Sequence, residues 1–504
     1  MGINIEISRK FFILLQSLSK QLAIQAHDYL ATHERIRGYC KYPIQERLFP
    51  KDNPQFEELY EIIPALRYGI PEYRLKDFPD DRIQYGAIFN GYATDRLDCS
   101  KLKEFDDLIE YVNSESELKK LFAKDANTNT LKYKLKEMAS GIVERYMYSS
   151  NASDIVPDNL EGLLHPFVLE KVHRYFSDTL EIDIYIPICL ATFEDDRIKL
   201  TEHIEIIRIP EDVQKSRQQA CEYQSYKENL AASCATHMLV LHNYSFKNSE
   251  ELSINEVTKN FHAYPLHIIN NVMGALRVVT GFTVGYAQIL CRPINWIDSF
   301  CADLVPLYGA KACFINPKEV EKPWGHLPVS YINKESTQEI QKIYKIIHDA
   351  EGDNKKNSLI FALKRFNRCV LRTEDDDIAT DATIGLEALL AGGTKSEITY
   401  TISNRIPIVF AHESNEDYLP TNCRKIMKKI YDYRSKIVHG ATLKDKHRYY
   451  EICDKKVEIE KIAVDFLRYT LLFILRNPEF LDATKFDEYI DVIISKASKN
   501  NETP

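Results

Sequence analysis

A short run near the C-terminus, YDYRSKIVHG, places Arg434 five residues before His439. Arginine is permanently charged and presents a fork of donors that suits a phosphate group. Histidine gains and loses a proton near neutral pH, so it can act as a general acid or base. Beside an RNA phosphodiester, His439 would move a proton while Arg434 stabilised the charge developing at phosphorus. The RNA 2′-hydroxyl would be the nucleophile, so these residues predict a ribonuclease that requires no metal and no cofactor.

The spacing of the two residues sets a geometric condition. Five positions along an α-helix leave the side chains of Arg434 and His439 roughly 140° apart, so they do not share one face of a regular helix. Gly440 follows the histidine and predicts the end of the helix, which would let His439 turn toward the arginine. A site built from two copies of the chain would relax the condition further. The alternative is that both residues are ordinary features of a helix end.

Positive charge is concentrated around this pair. Residues 421–448 contain nine lysines and arginines against two acids, a balance of +7, whereas the whole chain carries −9 and the remainder therefore −16. A protein that coats nucleic acid with its whole surface would be basic overall, so RNA contact must be local here. The alternative is a solvated helix face. The basic side chains that we expect to contact RNA are Lys428, Lys429, Lys436, Lys444, Lys446 and Arg448.

Other sequence motifs for chemistry are weaker. The eleven cysteines are scattered and form no CxxC pair, which excludes a zinc ribbon and a disulfide framework. Cys221, Cys234, His237 and His242 are the nearest approach to a metal cluster, but their spacing favours core cysteines and histidines, and we predict no metal site. The run of residues 392–395, GGTK, lacks the first glycine and the strand of a phosphate-binding loop, so a nucleotide-dependent enzyme is not expected.

The length and composition favour a globular protein of several domains. With 504 residues, 44% hydrophobic and 28% charged, the chain is too long for one ordinary core and too apolar for disorder. The longest apolar run near the N-terminus, Phe11–Leu15, is too short to span a bilayer, and no cleavable signal follows it. We therefore expect a cytoplasmic protein without a membrane partner.

Hydrophobic periodicity predicts an α+β fold that is mainly helical and has three parts. Residues 1–175 are mostly helical, 176–330 combine helices with antiparallel strands, and 336–500 form an all-α bundle. Strands are predicted over residues 181–186, 204–209, 237–242 and 284–290, and a helix over Leu266–Thr280 that ends at Gly281. A capping box at Ser336 begins the bundle. Within it, Pro407 is expected to kink or end the helix around 397–411, and 449–475 to form one long helix.

The C-terminal part, about 336–480, resembles the Apea-like branch of the HEPN superfamily. The resemblance rests on three segments in the order typical of that branch: DATIGLEALLAGG, TYTISNRIPIVF and YDYRSKIVHG. It implies a helical bundle that dimerises so that the Arg/His motifs of two copies line one cleft. Many such domains are metal-independent endoribonucleases that leave a cyclic phosphate, and they recur as toxins and as effectors of anti-phage abortive infection.

The resemblance assigns roles to particular residues. Arg434 and His439 match the motif's catalytic pair, and Ser435 matches the polar position after the arginine. Glu387 matches the internal acid of the earlier helix and would orient the arginine, although a surface carboxylate is an equal alternative. Arg405 matches a further arginine of the branch, for which a structural ion pair is the better interpretation. The expected substrate is RNA, with tRNA as one candidate class.

Residues 1–330 resemble no family that we can name. By analogy of architecture, they would detect a phage-derived or stress signal and restrain cleavage. The alternative function is a non-catalytic HEPN module that binds RNA or dimerises.

Overall fold

The computed structural model shows an α+β protein that is mainly helical, as predicted. It describes residues 5–33, 41–47, 71–77, 83, 85–90, 96–122, 128–220, 235–248, 253–300, 302–320, 330–392, 397–413, 416–440 and 445–500. Among these residues no helix has both the length and the apolar character needed to cross a bilayer.

The N-terminal region is a cluster of helices with its own hydrophobic core. Its elements are α1 (Ile5–Thr32), β1 (Lys41–Arg47), β2 (Pro71–Asp77), α2 (Tyr85–Asn90), α3 (Lys103–Ser114), α4 (Ser116–Phe122), α5 (Thr128–Ser150) and α6 (Leu160–Phe176). Helix α1 packs against α3, α5 and α6. The mainly helical character agrees with the periodicity, but the antiparallel pair β1–β2 does not. That pair falls in a stretch whose sequence shows no clean period.

The middle region contains a six-stranded antiparallel sheet of order β5-β6-β7-β3-β8-β9. The elements of this region are β3 (Thr179–Cys189), β4 (Ala191–Phe193), β5 (Arg197–Lys199), β6 (Ile204–Arg208), α7 (Glu211–Ala220), β7 (His237–Lys247), α8 (Ile254–Lys259), α9 (Leu266–Thr280), β8 (Gly285–Pro293), β9 (Tyr308–Phe314), α10 (Pro317–Val320) and β10 (Ser330–Ile332). Each of the four predicted strands lies within β3, β6, β7 or β8, or overlaps it. Helix α9 has the predicted bounds, and Gly281 ends it with a φ of +74°.

The described part of the C-terminal region is helical apart from one hairpin. Its elements are α11 (Lys334–Ala350), α12 (Asn357–Leu371), α13 (Asp375–Leu390), α14 (Ile398–His412), α15 (Pro420–Val438), α16 (Asp445–Arg448), β11 (Tyr449–Ile452), β12 (Lys455–Glu458), α17 (Ile459–Arg476) and α18 (Thr484–Asn500). Helix α17 lies at the centre, because it packs against α11, α12, α13, α14 and α15.

Two local predictions in this region are wrong, and at Pro407 the structure excludes the end of the helix, which was one of two alternatives. Asn333, rather than Ser336, caps α11, and its side chain accepts a hydrogen bond from the Ser336 amide at 2.9 Å. Helix α14 continues through Pro407, because burial of its neighbours Ile406 and Val409 outweighs the lost backbone hydrogen bond. The predicted helix over 449–475 begins only at Ile459, since Tyr449–Glu458 form the β11–β12 hairpin.

A two-residue turn explains this hairpin. Cys453 and Asp454 both have a positive φ, +48° and +61°. Two consecutive residues in this region make the turn whose twist matches that of paired strands, and aspartate tolerates it better than most residues. The apolar residues before and after the turn resemble helical spacing, which misled the prediction.

The sheet and the C-terminal helices share one hydrophobic core. Helix α9 joins them, because the fully buried guanidinium of Arg277 donates from Nη1 to Asn367 Oδ1 of α12 at 2.8 Å. Arg468 of α17 donates to the Val278 carbonyl of α9 at 3.0 Å. The arginine and histidine of the motif therefore stand on a bundle that is braced by the sheet.

Candidate functional site

Helix α15 carries the YDYRSKIVHG run, and packing holds it firmly. Pro420 occupies the first turn, where its missing amide costs nothing. One face is buried against α13, α14 and α17. The buried side chains are Cys423, Ile426, Met427, Ile430, Tyr431 and Tyr433. The helix ends at Val438, and Gly440 follows with a φ of +65°, which confirms the predicted end of the helix.

Arg434 lies on the flank of α15 that faces α13. Its Nη1 is 3.6 Å from Oε1 of Glu387, and the two side chains are 32% and 24% exposed. This separation is an ion pair rather than a hydrogen bond. The Nε of Arg434 is buried and has no hydrogen-bond partner among the described residues. The guanidinium is thus held on one side by a carboxylate and retains donor capacity.

Tyr431 also lies beside Glu387, and it was not among the predicted site residues. It is buried, and burial together with the Glu387 carboxylate raises the pKa of its hydroxyl well above the usual range. Tyr431 precedes Arg434 by three positions, so helical spacing alone places both side chains on neighbouring parts of one face. This spacing is the signal that could have identified it.

His439 stands apart from Arg434. It is exposed at the C-terminal cap of α15, and its backbone amide donates to the Ser435 carbonyl at 3.1 Å. No hydrogen bond or ion pair joins its imidazole to a residue that the structure describes. Ser435 is exposed and lies one turn before it, so these two residues share a face. Within one chain, the structure brings Glu387 to Arg434 and leaves Ser435 and His439 on a different face of the helix.

The basic residues of the run are in different environments. Lys428 and Arg448 are exposed, and Lys429 is half-buried. Lys436 forms an ion pair with Asp432 one turn away. That hydrogen-bonded ammonium lowers the pKa of the Asp432 carboxyl. Lys444 and the side chain of Lys446 lie outside the described residues.

Acidic side chains lie near Tyr433, the next residue before the arginine. Its hydroxyl donates to Oδ1 of Asp376 at 3.4 Å. Glu460 is buried nearby, and burial, followed by the charge of Asp375, raises its pKa to about 7. An anion such as a phosphate would be repelled from this side of α15. It would approach from the exposed face that carries Lys428, Ser435 and His439.

Arg405 has the structural role that was expected. It is 6% exposed, and its Nε donates to Asp487 Oδ1 at 3.0 Å while its Nη1 donates to the Leu390 carbonyl at 2.6 Å. The guanidinium therefore fastens α13 and α14 to α18 and has no exposed surface for a ligand.

The histidines of the rejected metal cluster have other partners. His237 is buried, with Nδ1 2.8 Å from Thr236 Oγ1. His242 lies between two carboxylates, 3.0 Å from Asp183 and 3.2 Å from Glu205. Cys221 and Cys234 lie outside the described residues, as do Gly393, Thr394 and Lys395 of the GGTK run. Among the described residues, no three metal-ligating side chains converge.

A scan against protein-family models found no match to this chain. Searches of curated proteins and of solved structures found no significant match either.

Proposed function

We propose that the C-terminal helices form a metal-independent endoribonuclease of the HEPN type that acts in abortive infection against phage. His439 is the general base and Arg434 stabilises the transition state. Ser435 and the exposed lysines of α15 guide the RNA backbone. The observation that carries the proposal is the state of Arg434, a guanidinium oriented by Glu387 whose Nε has no partner among the described residues.

The reaction follows from the chemistry of these groups. The 2′-oxygen of the RNA attacks the adjacent phosphorus and gives its proton to the imidazole of His439. The bond from phosphorus to the 5′-oxygen breaks, and that oxygen leaves with a proton from water. The products are a 2′,3′-cyclic phosphate and a 5′-hydroxyl. Arg434 holds the charge that develops on the phosphoryl oxygens.

The separation of Arg434 from His439 supports a site composed of two copies. In one chain the arginine faces α13, whereas the histidine is exposed at the end of α15. An exposed His439 is available to a second chain, which would bring its own Arg434 to the same phosphate. We therefore propose a homodimer in which α15 lies at the interface.

A non-catalytic RNA-binding module is the second candidate. The observation that favours it is the absence of any described contact between Arg434 and His439. Such a module would retain the local positive charge and would retard RNA in a gel without shortening it.

The deciding experiment uses purified full-length chains in EDTA with end-labelled RNA. Arg434→Ala and His439→Ala should each reduce cleavage by at least about a hundredfold. His348→Ala is the matched control, because His348 is an exposed histidine on another helix, and it should cleave like the unchanged protein. The proposal fails if either motif variant cleaves at the unchanged rate, or if RNA is bound and never cut.

The same variants test the substrate and the biological role. Sequencing of RNA ends from cells that express the unchanged protein or His439→Ala would locate the cuts. Cuts confined to one tRNA loop would identify tRNA as the substrate class. If the protein acts in abortive infection, phage infection of expressing cells should trigger the same cuts, and His439→Ala should remove both the cuts and the protection.

A further inference from the structure

A cavity of about 450 Å³ lies between the N-terminal helices and the loop that follows β8. This volume is within the range of pockets that hold small organic ligands. Helix α5 forms one wall, and Asp298, Ser299, Phe300 and Ala302 form another. The lining residues of the cavity that carry charge are Arg96, Lys136, Glu137, Glu144, Arg145, Lys171 and Asp298.

One face of α5 is open toward this cavity. Tyr133, Glu137, Gly141 and Glu144 recur at helical intervals and all line it. A Cβ atom added to Gly141 would meet no other atom within 4 Å. Close packing therefore does not explain a glycine here, although glycine weakens the interior of a helix. The missing side chain instead leaves room beside the backbone of α5.

Among the cations of the cavity, Lys136 forms an ion pair with Asp98 at 2.9 Å, whereas Arg145 is incompletely satisfied within the described residues. Arg145 is 3.5 Å from Glu170, which is too long for a hydrogen bond, and its buried Nε has no hydrogen-bond partner among the described residues. Lys171 is 7% exposed, and its Nζ donates to the Asp298 carbonyl at 2.8 Å. Burial lowers the pKa of Lys171, and the charges of Asp298 and Glu137 oppose this effect only in part. A bound anion would supply the missing compensation.

The negative charge opposite these cations is reduced. Four cations and three acids line the cavity. One of the acids is Glu144, and burial followed by the charge of Asp303 raises its pKa to about 7. Near neutral pH this carboxyl is therefore partly protonated and can donate a hydrogen bond. Asp98 and Glu170, which lie outside the lining, pair with Lys136 and Arg145. The lining thus offers partly compensated cations together with a polar group that is partly neutral.

Aromatic rings complete the lining. Phe89 is buried, Phe300 is half-buried, and Tyr133 is 67% exposed at the rim. Rings of this kind stack on planar heterocycles with little dependence on their identity. The loop that carries Phe300 is held in place, because the Asp298 amide donates to the Tyr308 hydroxyl at 2.9 Å and Tyr308 stacks on Trp296.

We propose that this cavity binds a nucleoside monophosphate, with its phosphate at Arg145 and Lys171 and its base against the aromatic rings. A phosphate alone would leave the rings uncovered, and a base alone would leave the Nε of Arg145 without an acceptor. The ligand contacts both the N-terminal helices and the loop after β8. It therefore bridges the core of the N-terminal helices and the core that the sheet shares with the C-terminal helices. This site is independent of the motif on α15.

The test is isothermal titration calorimetry on the full chain with AMP, GMP, CMP and UMP, compared with adenosine and inorganic phosphate. At least one nucleotide should bind, and each half of it alone should bind more than about tenfold more weakly. Arg145→Gln should weaken nucleotide binding about ten- to a hundredfold. Gly141→Leu should abolish it by filling the cavity. Lys132→Gln, an exposed charge on α5 outside the lining, is the control and should bind normally.

Circular dichroism of each variant verifies that it folds, and because two different variants are used, the misfolding of one leaves the other as a test. The proposal is overturned if no nucleotide binds at about 1 mM, a concentration that detects even weak complexes. It is also overturned if inorganic phosphate or adenosine binds as tightly as the nucleotide. Unchanged affinity in folded Arg145→Gln or Gly141→Leu would place the nucleotide elsewhere and likewise refute it.

Discussion

Replacement of Glu144 by glutamine should stabilise the folded chain, and the gain should grow as the pH rises. The Glu144 carboxyl is close-packed, since a Cβ atom on Gly86 would come within 2.5 Å of its Oε1. Burial, together with the charge of Asp303, raises its pKa from 4.5 to about 7. Glutamine keeps the shape and the hydrogen-bonding capacity of the protonated acid without its ionisation.

The magnitude follows from the pKa of Glu144 in the folded and unfolded states. Below about pH 4.5 both states are protonated, and the group costs nothing. Above about pH 7 both are ionised, and the folded state bears the whole cost of a buried charge. Each pKa unit corresponds to about 1.36 kcal/mol, so the free energy of unfolding should lose up to about 3 kcal/mol between these limits.

Urea unfolding at about pH 5 and about pH 8, followed by circular dichroism, measures this effect. Glu144→Gln should exceed the unchanged protein in stability by about 2–3 kcal/mol more at the higher pH than at the lower. Glu137→Gln is the matched control, because it removes an exposed acid from the same helix. An equal gain at both pH values, or a similar pH dependence in the control, would refute the reasoning.

Three further predictions concern the C-terminal helices. Arg405→Ala should lower the free energy of unfolding by about 2–3 kcal/mol, because the Leu390 carbonyl loses its hydrogen-bond donor. A loss below about 1 kcal/mol in thermal unfolding would contradict this. Gly440→Ala should cost about 1 kcal/mol, since its φ is +65° and no atom lies within 4 Å of the added Cβ; unchanged hydrogen exchange at the end of α15 would exclude that strain. Asp432→Asn should release Lys436 from its ion pair and make it available to an RNA phosphate. The slope of log binding constant against log salt concentration should then become steeper by about 0.7, and an unchanged slope would show that Lys436 does not contact phosphate.

Local sequence patterns were sufficient for much of the secondary structure. Alternation of polar and apolar residues located β3 and β6. Gly281 and Gly440 predicted the ends of α9 and α15, and both have the positive φ that glycine adopts readily. These signals depend on neighbours within a few positions along the chain, so they can be recognised without knowledge of the fold. The structural role of Arg405 was also predictable, because an arginine inside an apolar helix requires a partner for its charge.

Features that depend on packing could not be decided from local patterns. Pro407 is tolerated because the surrounding residues of α14 are buried, and this burial is decided by helices distant in the sequence. The β11–β12 hairpin was mistaken for helix because apolar spacing over a few residues fits both structures, and only the positive φ values of Cys453 and Asp454 separate them.

The sequence by itself determined which chemical groups are present and roughly where each helix and strand lies. It placed Arg434 and Ser435 on one helix and His439 at the end of that helix, but it could not show which neighbour each side chain faces. Only the tertiary structure placed Glu387 beside Arg434 and buried Glu144 beside a cavity. The reason is physical: identity and local spacing are properties of the chain, whereas distance, burial and the resulting pKa depend on which distant segments pack together.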